Sequence, residues 1–273
     1  MTKKKIKKVL NKVKKDKVSL VELQFTDFLG NLKSVTISTR ELPTALQSGT
    51  WFDGSSVEGF ARIHESDMRL FPDPQTYALI PWHSENNGRV ARFICDICLP
   101  NGQPFAGDPR YLLKKTILEA KKTGFDFFVG PELEFFLFKK NEQGKIKVYS
   151  SGNNSYFLFS LDETYKIKRE MIEALETMGI EVEMSHCEVA NNQHEIDFRY
   201  DRALKTADNT ITLKYALKAI GQKHGFYASF MPKPIFGVNG SGMHVHQSFF
   251  KRNKTLFLES QINTVYQKLL IPF

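Results

Sequence analysis

Two glutamates stand two residues apart inside an apolar, aromatic run, Gly130-Pro131-Glu132-Leu133-Glu134-Phe135-Phe136-Leu137-Phe138. The composition predicts a strand, and alternation then places Glu132 and Glu134 on one face, about 7 Å apart. Like charges held side by side against a hydrophobic core are costly unless a cation lies between them. Taken alone, the pair reads equally well as a metal site or as a wet strand face.

Three later stretches carry similar chemistry. His186-Cys187-Glu188 and His194-Glu195 put two more carboxylates on short strands separated by Asn191-Asn192-Gln193. Asn239-Gly240-Ser241-Gly242-Met243-His244-Val245-His246-Gln247-Ser248 runs from a glycine-flanked loop, where backbone can approach a ligand, into paired histidines. Met243 and Val245 fall on one face of that segment, His244 and His246 on the other. Glu132, Glu134, Glu188, Glu195 and His244 are therefore candidate strand-borne ligands. A carboxylate-dominated set favours Mg2+ or Mn2+ over zinc, and its recurrence points to a one- or two-metal site.

The elements that must position these residues follow from periodicity. Lys3–Lys15 carries Ile6, Val9, Leu10 and Val13 as an amphipathic stripe, which predicts a helix over a basic segment, 1–17. Residues 18–100 read as a small, mostly β unit. Its strands are expected at Leu20–Phe25, Leu32–Ile37, Tyr77–Ile80 and Val90–Leu99, with a weak helix at Thr39–Gln47 and a loop-rich Thr50–Asp73. Residues 101–108 form a linker by composition. Asp108 caps a helix opening on Pro109 and ending before Gly124, and this begins a second unit, 109–273. Further helices are expected at Thr164–Met178 and Asp208–His224, and strands at Glu181–Ala190, His194–Tyr200, Tyr227–Met231 and Met243–Phe249. The fold class is α+β.

The net charge of +8 first suggests nucleic acid, but nine lysines and Asp16 within residues 1–17 account for all of it. A solvated helix face explains that run better than a nucleic-acid interface. No apolar run approaches the ~20 residues that span a bilayer, and no secretory signal is present, so a cytoplasmic protein is expected. Cys95 and Cys98 have the spacing of a redox or zinc pair, but on a strand they point to opposite faces, so structural cysteines are expected.

From about Lys17 to Ser248 the sequence resembles glutamine synthetase, most closely the bacterial type I enzymes. The resemblance rests on Phe52-Asp53-Gly54-Ser55-Ser56, Glu65-Ser66-Asp67-Met68, Gly130–Phe135, Glu188-Val189-Ala190 with Gln193-His194-Glu195, and Lys233-Pro234 leading into Asn239–Ser248. It implies an N-terminal β-grasp domain and a bifunnel, guanido-kinase-like catalytic domain, with sites shared between subunits of a ring, a dodecamer in an intact member. It also implies that ATP, glutamate and ammonium give glutamine through γ-glutamyl phosphate, with two or more Mg2+ or Mn2+ ions. By position, Glu134, Glu188 and Glu195 match ligands of one metal, and Glu132 and His244 those of a metal nearer the phosphates. Asp53 matches the ammonium-binding acid, although Asp-Gly-Ser-Ser could also simply shape a turn. Asn239 and Gly240 match glutamate contacts. Glu183, His246, Gln247 and Ser248 match nucleotide contacts, with a core role open for His246. Arg62 matches a position linked to glutamine feedback, which a surface salt bridge would explain as easily.

Cys187 stands where many relatives have a second histidine, and Asn191-Asn192 replaces a common Pro-Gly. The family's catalytic domain continues well beyond Phe273, supplying another metal glutamate, arginines and a mobile loop. The 273-residue chain is therefore expected to show little or no turnover and poor solubility. Two alternatives stand beside the ligase: an inactive remnant that binds metal or assembles with intact subunits, and, less favoured, a ligase of glutamate to another amine.

Overall fold

In a computed structural model the described residues are 3–57, 67–83, 88–147, 156–157, 163–251 and 254–255. Helix α1 (Lys3–Lys15) buries Ile6 and Val13 of its predicted stripe and leaves its lysines outside. Strands β1 (Val18–Thr26) and β2 (Leu32–Ser38) form a hairpin, followed by α2 (Leu42–Ser48), which tolerates Pro43 because it lies in the first turn. Then come β3 (Thr50–Asp53), β4 (Asp67–Pro72), β5 (Ala78–Leu79) and β6 (Arg89–Cys98). The order is β2-β1-β6-β4-β3, with β5 on β6 and with β1 and β6 parallel. Two strands thus occupy ends of the Thr50–Asp73 stretch expected to be loop-rich. Acids and glycines mask the signal there, but Met68 and Leu70 alternate inward and are buried.

The second unit is built around one strand. After α3 (Pro109–Lys122), capped by the Asp108 carboxylate as expected, β7 runs the full length Asp126–Lys140. The remaining elements are β8 (Ile146–Lys147), α4 (Glu163–Thr177), β9 (Val182–Cys187), β10 (Gln193–Phe198), β11 (Asp201–Arg202), α5 (Ala203–Lys223), β12 (Phe226–Ser229), β13 (Met243–Lys251) and β14 (Lys254–Thr255). The main order is β14-β13-β7-β10-β9, and β8, β11 and β12 also pair with β7. Leu133, Phe135 and Leu137 of β7 are buried with Ile167, Met171 and Leu217 of α4 and α5. Each such side chain contributes roughly 1.5–3 kcal/mol. The alternate residues, Glu132 and Glu134, are thereby committed to the other face. Cys95, Cys98 and Cys187 are free and buried.

The two units are joined by charge. Arg110 of α3 contacts Asp96 (2.5 Å) and Asp73 (2.7 Å) of the first unit and Asp208 of α5 (2.9 Å), and its side chain is 5% exposed. Burial pushes the Asp208 carboxyl up even with Arg110 against it, so removing the guanidinium would strand a buried acid. Arg110→Met is expected to cost about 3–5 kcal/mol in urea unfolding. A loss below about 1 kcal/mol, the worth of an exposed pair, would show that the network does not hold the units together.

Candidate metal centre and its surroundings

Strand pairing assembles the carboxylates. Glu195 of β10 lies opposite Glu134 of β7 on one side and His186 of β9 on the other, and directly opposed residues share a face. A turn returns the chain from β9 to β10, and the Glu188 N–H donates to the Gln193 carbonyl at 2.9 Å. That turn places Asn192 at φ 61°, a left-handed conformation that asparagine adopts more readily than most residues. The asparagines can therefore replace a Pro-Gly turn without displacing Glu188 or Glu195.

Glu134, Glu188 and Glu195 each offer an oxygen, and the three atoms lie within 4.8 Å of one another. Glu188 and Glu195 are 8% and 7% exposed, so water screens their repulsion poorly. Burial, Asp197 and Glu188 push the Glu195 carboxyl up to about 9. His186 bridges the pair, Nδ1 lying 3.3 Å from Glu188 and Nε2 3.4 Å from Glu195. A second group, His186, Glu195 and Asp197, meets the same 4.8 Å spacing, and Asp197 Oδ1 is buried with no hydrogen-bond partner. An all-carboxylate triad with an adjacent imidazole fits a hard divalent cation, which would replace repulsion with attraction.

The other candidates are placed as follows. His244 lies opposite Glu132 in the β7–β13 register, but the Glu132 carboxylate is 2.9 Å from Nε2 of His246. His244 Nε2 and Glu134 Oε1 flank one point above Gly242, each 3.0 Å from where a Cβ would stand. Ser248 continues that face, whereas Gln247 alternates to the other with Met243 and Val245. Glu183 is the extra residue of a bulge in β9, since Asp197 faces Met184 and Phe198 faces Val182. Asn239 is exposed in the loop before β13, and the Gly240 carbonyl accepts from Gln193 Nε2 at 2.9 Å.

Asp53 is not with the carboxylates. It ends the edge strand β3 of the other sheet, exposed, and caps a short turn through Ser55 N–H (2.9 Å) and the Ser55 and Ser56 hydroxyls (2.6 and 2.5 Å). Those two hydroxyls hold its carboxyl below the usual range. Arg62, Glu65 and Ser66 lie outside the described residues. Sequence reasoning assigned no role to His186, Gln193 or Asp197. The i, i+2, i+4 spacing of Gln193, Glu195 and Asp197 on one strand was the available signal.

Residues 17–100 match the family model for the glutamine synthetase β-Grasp domain, and residues 106–270 that for the glutamine synthetase catalytic domain. The chain belongs to the glutamine synthetase family. Its sheets are accordingly a β-grasp domain and a glutamine synthetase catalytic domain. A glutamine synthetase of Methanosarcina mazei is 51% identical over 257 residues, 94% of this chain and 57% of that relative. One of Clostridium saccharobutylicum is 47% identical over 97% of this chain and 60% of that relative. A cryo-EM structure of Plasmodium falciparum glutamine synthetase superposes with a TM-score of 0.83 at 30% identity, covering 93% of this chain and 55% of that one. The chain thus spans somewhat over half the length of the glutamine synthetases it matches. No helix among the described residues is long and apolar enough to cross a membrane.

The crowding has a measurable cost in the metal-free protein. Glu195→Gln keeps the shape and replaces a carboxyl that its surroundings push up to about 9, so near neutral pH folding no longer has to protonate it, and in EDTA the melting temperature is expected to rise by a few degrees, about 1 kcal/mol for a domain of this size. An unchanged or lower melting temperature would show that the three carboxylates do not oppose folding.

Proposed function

We propose that this chain carries the metal- and substrate-binding residues of a glutamate–ammonia ligase, which converts ATP, glutamate and ammonium to ADP, phosphate and glutamine. The observation that carries the reading is the convergence of Glu134 of β7, Glu195 of β10 and Glu188 of the turn between β9 and β10 within 4.8 Å, all in the region matching the family's catalytic domain. These three would hold one Mg2+ or Mn2+, with His186 buffering their charge. Glu132 and His244 would hold a second ion, with His246 orienting Glu132. When bound, such ions neutralise phosphate and carboxylate charge, which otherwise opposes attack of one anion on another.

The remaining roles belong to protein groups. Asn239 and the Gly240 backbone would bind glutamate, and Glu183, His246, Gln247 and Ser248 would contact the nucleotide. Asp53 would attract ammonium and accept its proton, its carboxylate kept ionised by the two serine hydroxyls. Its place at the exposed end of an edge strand suits an acid offered to a neighbouring subunit of a ring, a dodecamer on the family pattern. Arg62 would take a regulatory part. A second reading is a metal-binding, assembling chain without turnover.

The metal assignment is tested by Mn2+ titration followed by electron paramagnetic resonance. Stoichiometric binding is expected, weakened at least about tenfold in Glu188→Gln; equal binding by the variant would refute the triad. Glutamine formation from glutamate, ATP and ammonium then separates the two readings. Turnover that falls about a hundredfold in Asp53→Asn, with Mn2+ binding unchanged, supports the ligase. Mn2+ binding without turnover supports the second reading.

A further inference from the structure

Gln193 is 1% exposed, and both ends of its amide are engaged. Oε1 accepts from the Ala190 N–H at 3.3 Å, while Nε2 donates to Glu134 Oε2 at 2.6 Å and to the Gly240 carbonyl at 2.9 Å. This orientation is dictated by the partners, because the reverse would turn a carbonyl oxygen towards a carboxylate and another carbonyl. The Gln193 backbone carbonyl also receives the Glu188 N–H at 2.9 Å. One buried residue therefore touches the turn bearing Glu188, the carboxylate of Glu134 and the loop of Asn239.

The loop cannot easily drift from this contact. A Cβ at Gly240 would collide with the Pro232 carbonyl, and one at Gly242 would meet Glu134 Oε1 at 3.0 Å. Both glycines are needed for the backbone to lie so close. Glu134 is thus fixed by Gln193 at Oε2 and faces the loop backbone at Oε1. With one oxygen tied, the carboxylate is confined to presenting the other, as outer partners confine metal ligands generally.

We propose that Gln193 is a positioning residue that couples the Glu134 carboxylate to the Asn239–Gly242 loop, so that occupancy by a divalent cation and ordering of the loop favour each other. The inference rests on Glu134 being a metal ligand. Coupling between two sites is reciprocal, so a cation that fixes Glu134 must also steady the loop through the shared amide.

The probe is Mn2+ alone. Gln193→Met keeps the length and removes both donors, and Gln193→Leu serves as a second uncharged variant should the first misfold. Hydrogen exchange of the loop amides is followed in EDTA and in saturating Mn2+, alongside the Mn2+ resonance spectrum. In the unsubstituted chain Mn2+ is expected to slow loop exchange. In either variant the loop should exchange faster already in EDTA, Mn2+ should bind about tenfold more weakly, and saturating Mn2+ should give no further protection. The spectrum at saturation should change, which a merely structural role would not produce. Unchanged loop exchange in EDTA would overturn the Gln193–Gly240 link. Equal Mn2+ protection in variant and parent would overturn the coupling. Failure of the unsubstituted chain to bind Mn2+ would overturn the metal reading, and with it the coupling, while the EDTA comparison still judged the link.

Discussion

Three carboxylates with oxygens inside 4.8 Å set the condition that the rest of the catalytic unit must meet. At an effective dielectric near 20, each fully ionised pair at that distance costs roughly 3 kcal/mol. Leu133, Phe135 and Leu137, buried on the opposite face of β7, return roughly 5–9 kcal/mol together. Slippage of β7 by one residue would turn all three away from α4 and α5, so the apolar face holds the register that keeps the acids together. Burial together with Asp197 and Glu188 pushes the Glu195 carboxyl up to about 9, so that its protonation relieves part of the repulsion. The fold therefore maintains an unfavourable cluster, the feature on which the proposed metal site rests.

The same alternation explains what was legible in the chain. An apolar strand carrying glutamate at two alternate positions announces both a core face and a ligand face, α4 carries a clear apolar stripe, and α3 is announced by its capping residues. The stretch containing β3 and β4 has no such signal, because four- and six-residue strands among acids and glycines leave too few positions to establish a period. Sequence alone also carries no register between distant strands. It could place Glu132, His244 and His246 on common faces, but not decide that His246 makes the 2.9 Å contact. The role of Gln193 is illegible in the sequence for a related reason, since it lies in meeting two segments distant along the chain.

Register likewise interprets the substitution at Cys187. Cys187 lies opposite His194, one position out of phase with His186 and Glu195, so it points away from the carboxylate face. There it is buried, with the Lys168 amine 3.5 Å from its sulfur. Exchanging histidine for cysteine at that position alters packing beneath the sheet while the oxygens above it stay in place.

The position of Asp53 rests on a different balance. Its carboxylate is satisfied locally by Ser55 and Ser56, so it needs no partner from the catalytic sheet to stay ionised. Arg110, bound to Asp73 and Asp96 on one unit and Asp208 on the other, fixes how the β-grasp sheet is carried relative to α5. An acid that is self-sufficient, exposed and mounted at the end of an edge strand can be presented outward. Glu134, Glu188 and Glu195, the proposed metal ligands, have the opposite character: Glu188 and Glu195 are buried, Glu134 is half-buried, and the three crowd one another. The two halves of the proposed chemistry are thus built on opposite principles, one preorganised by its own turn and the other dependent on what it binds.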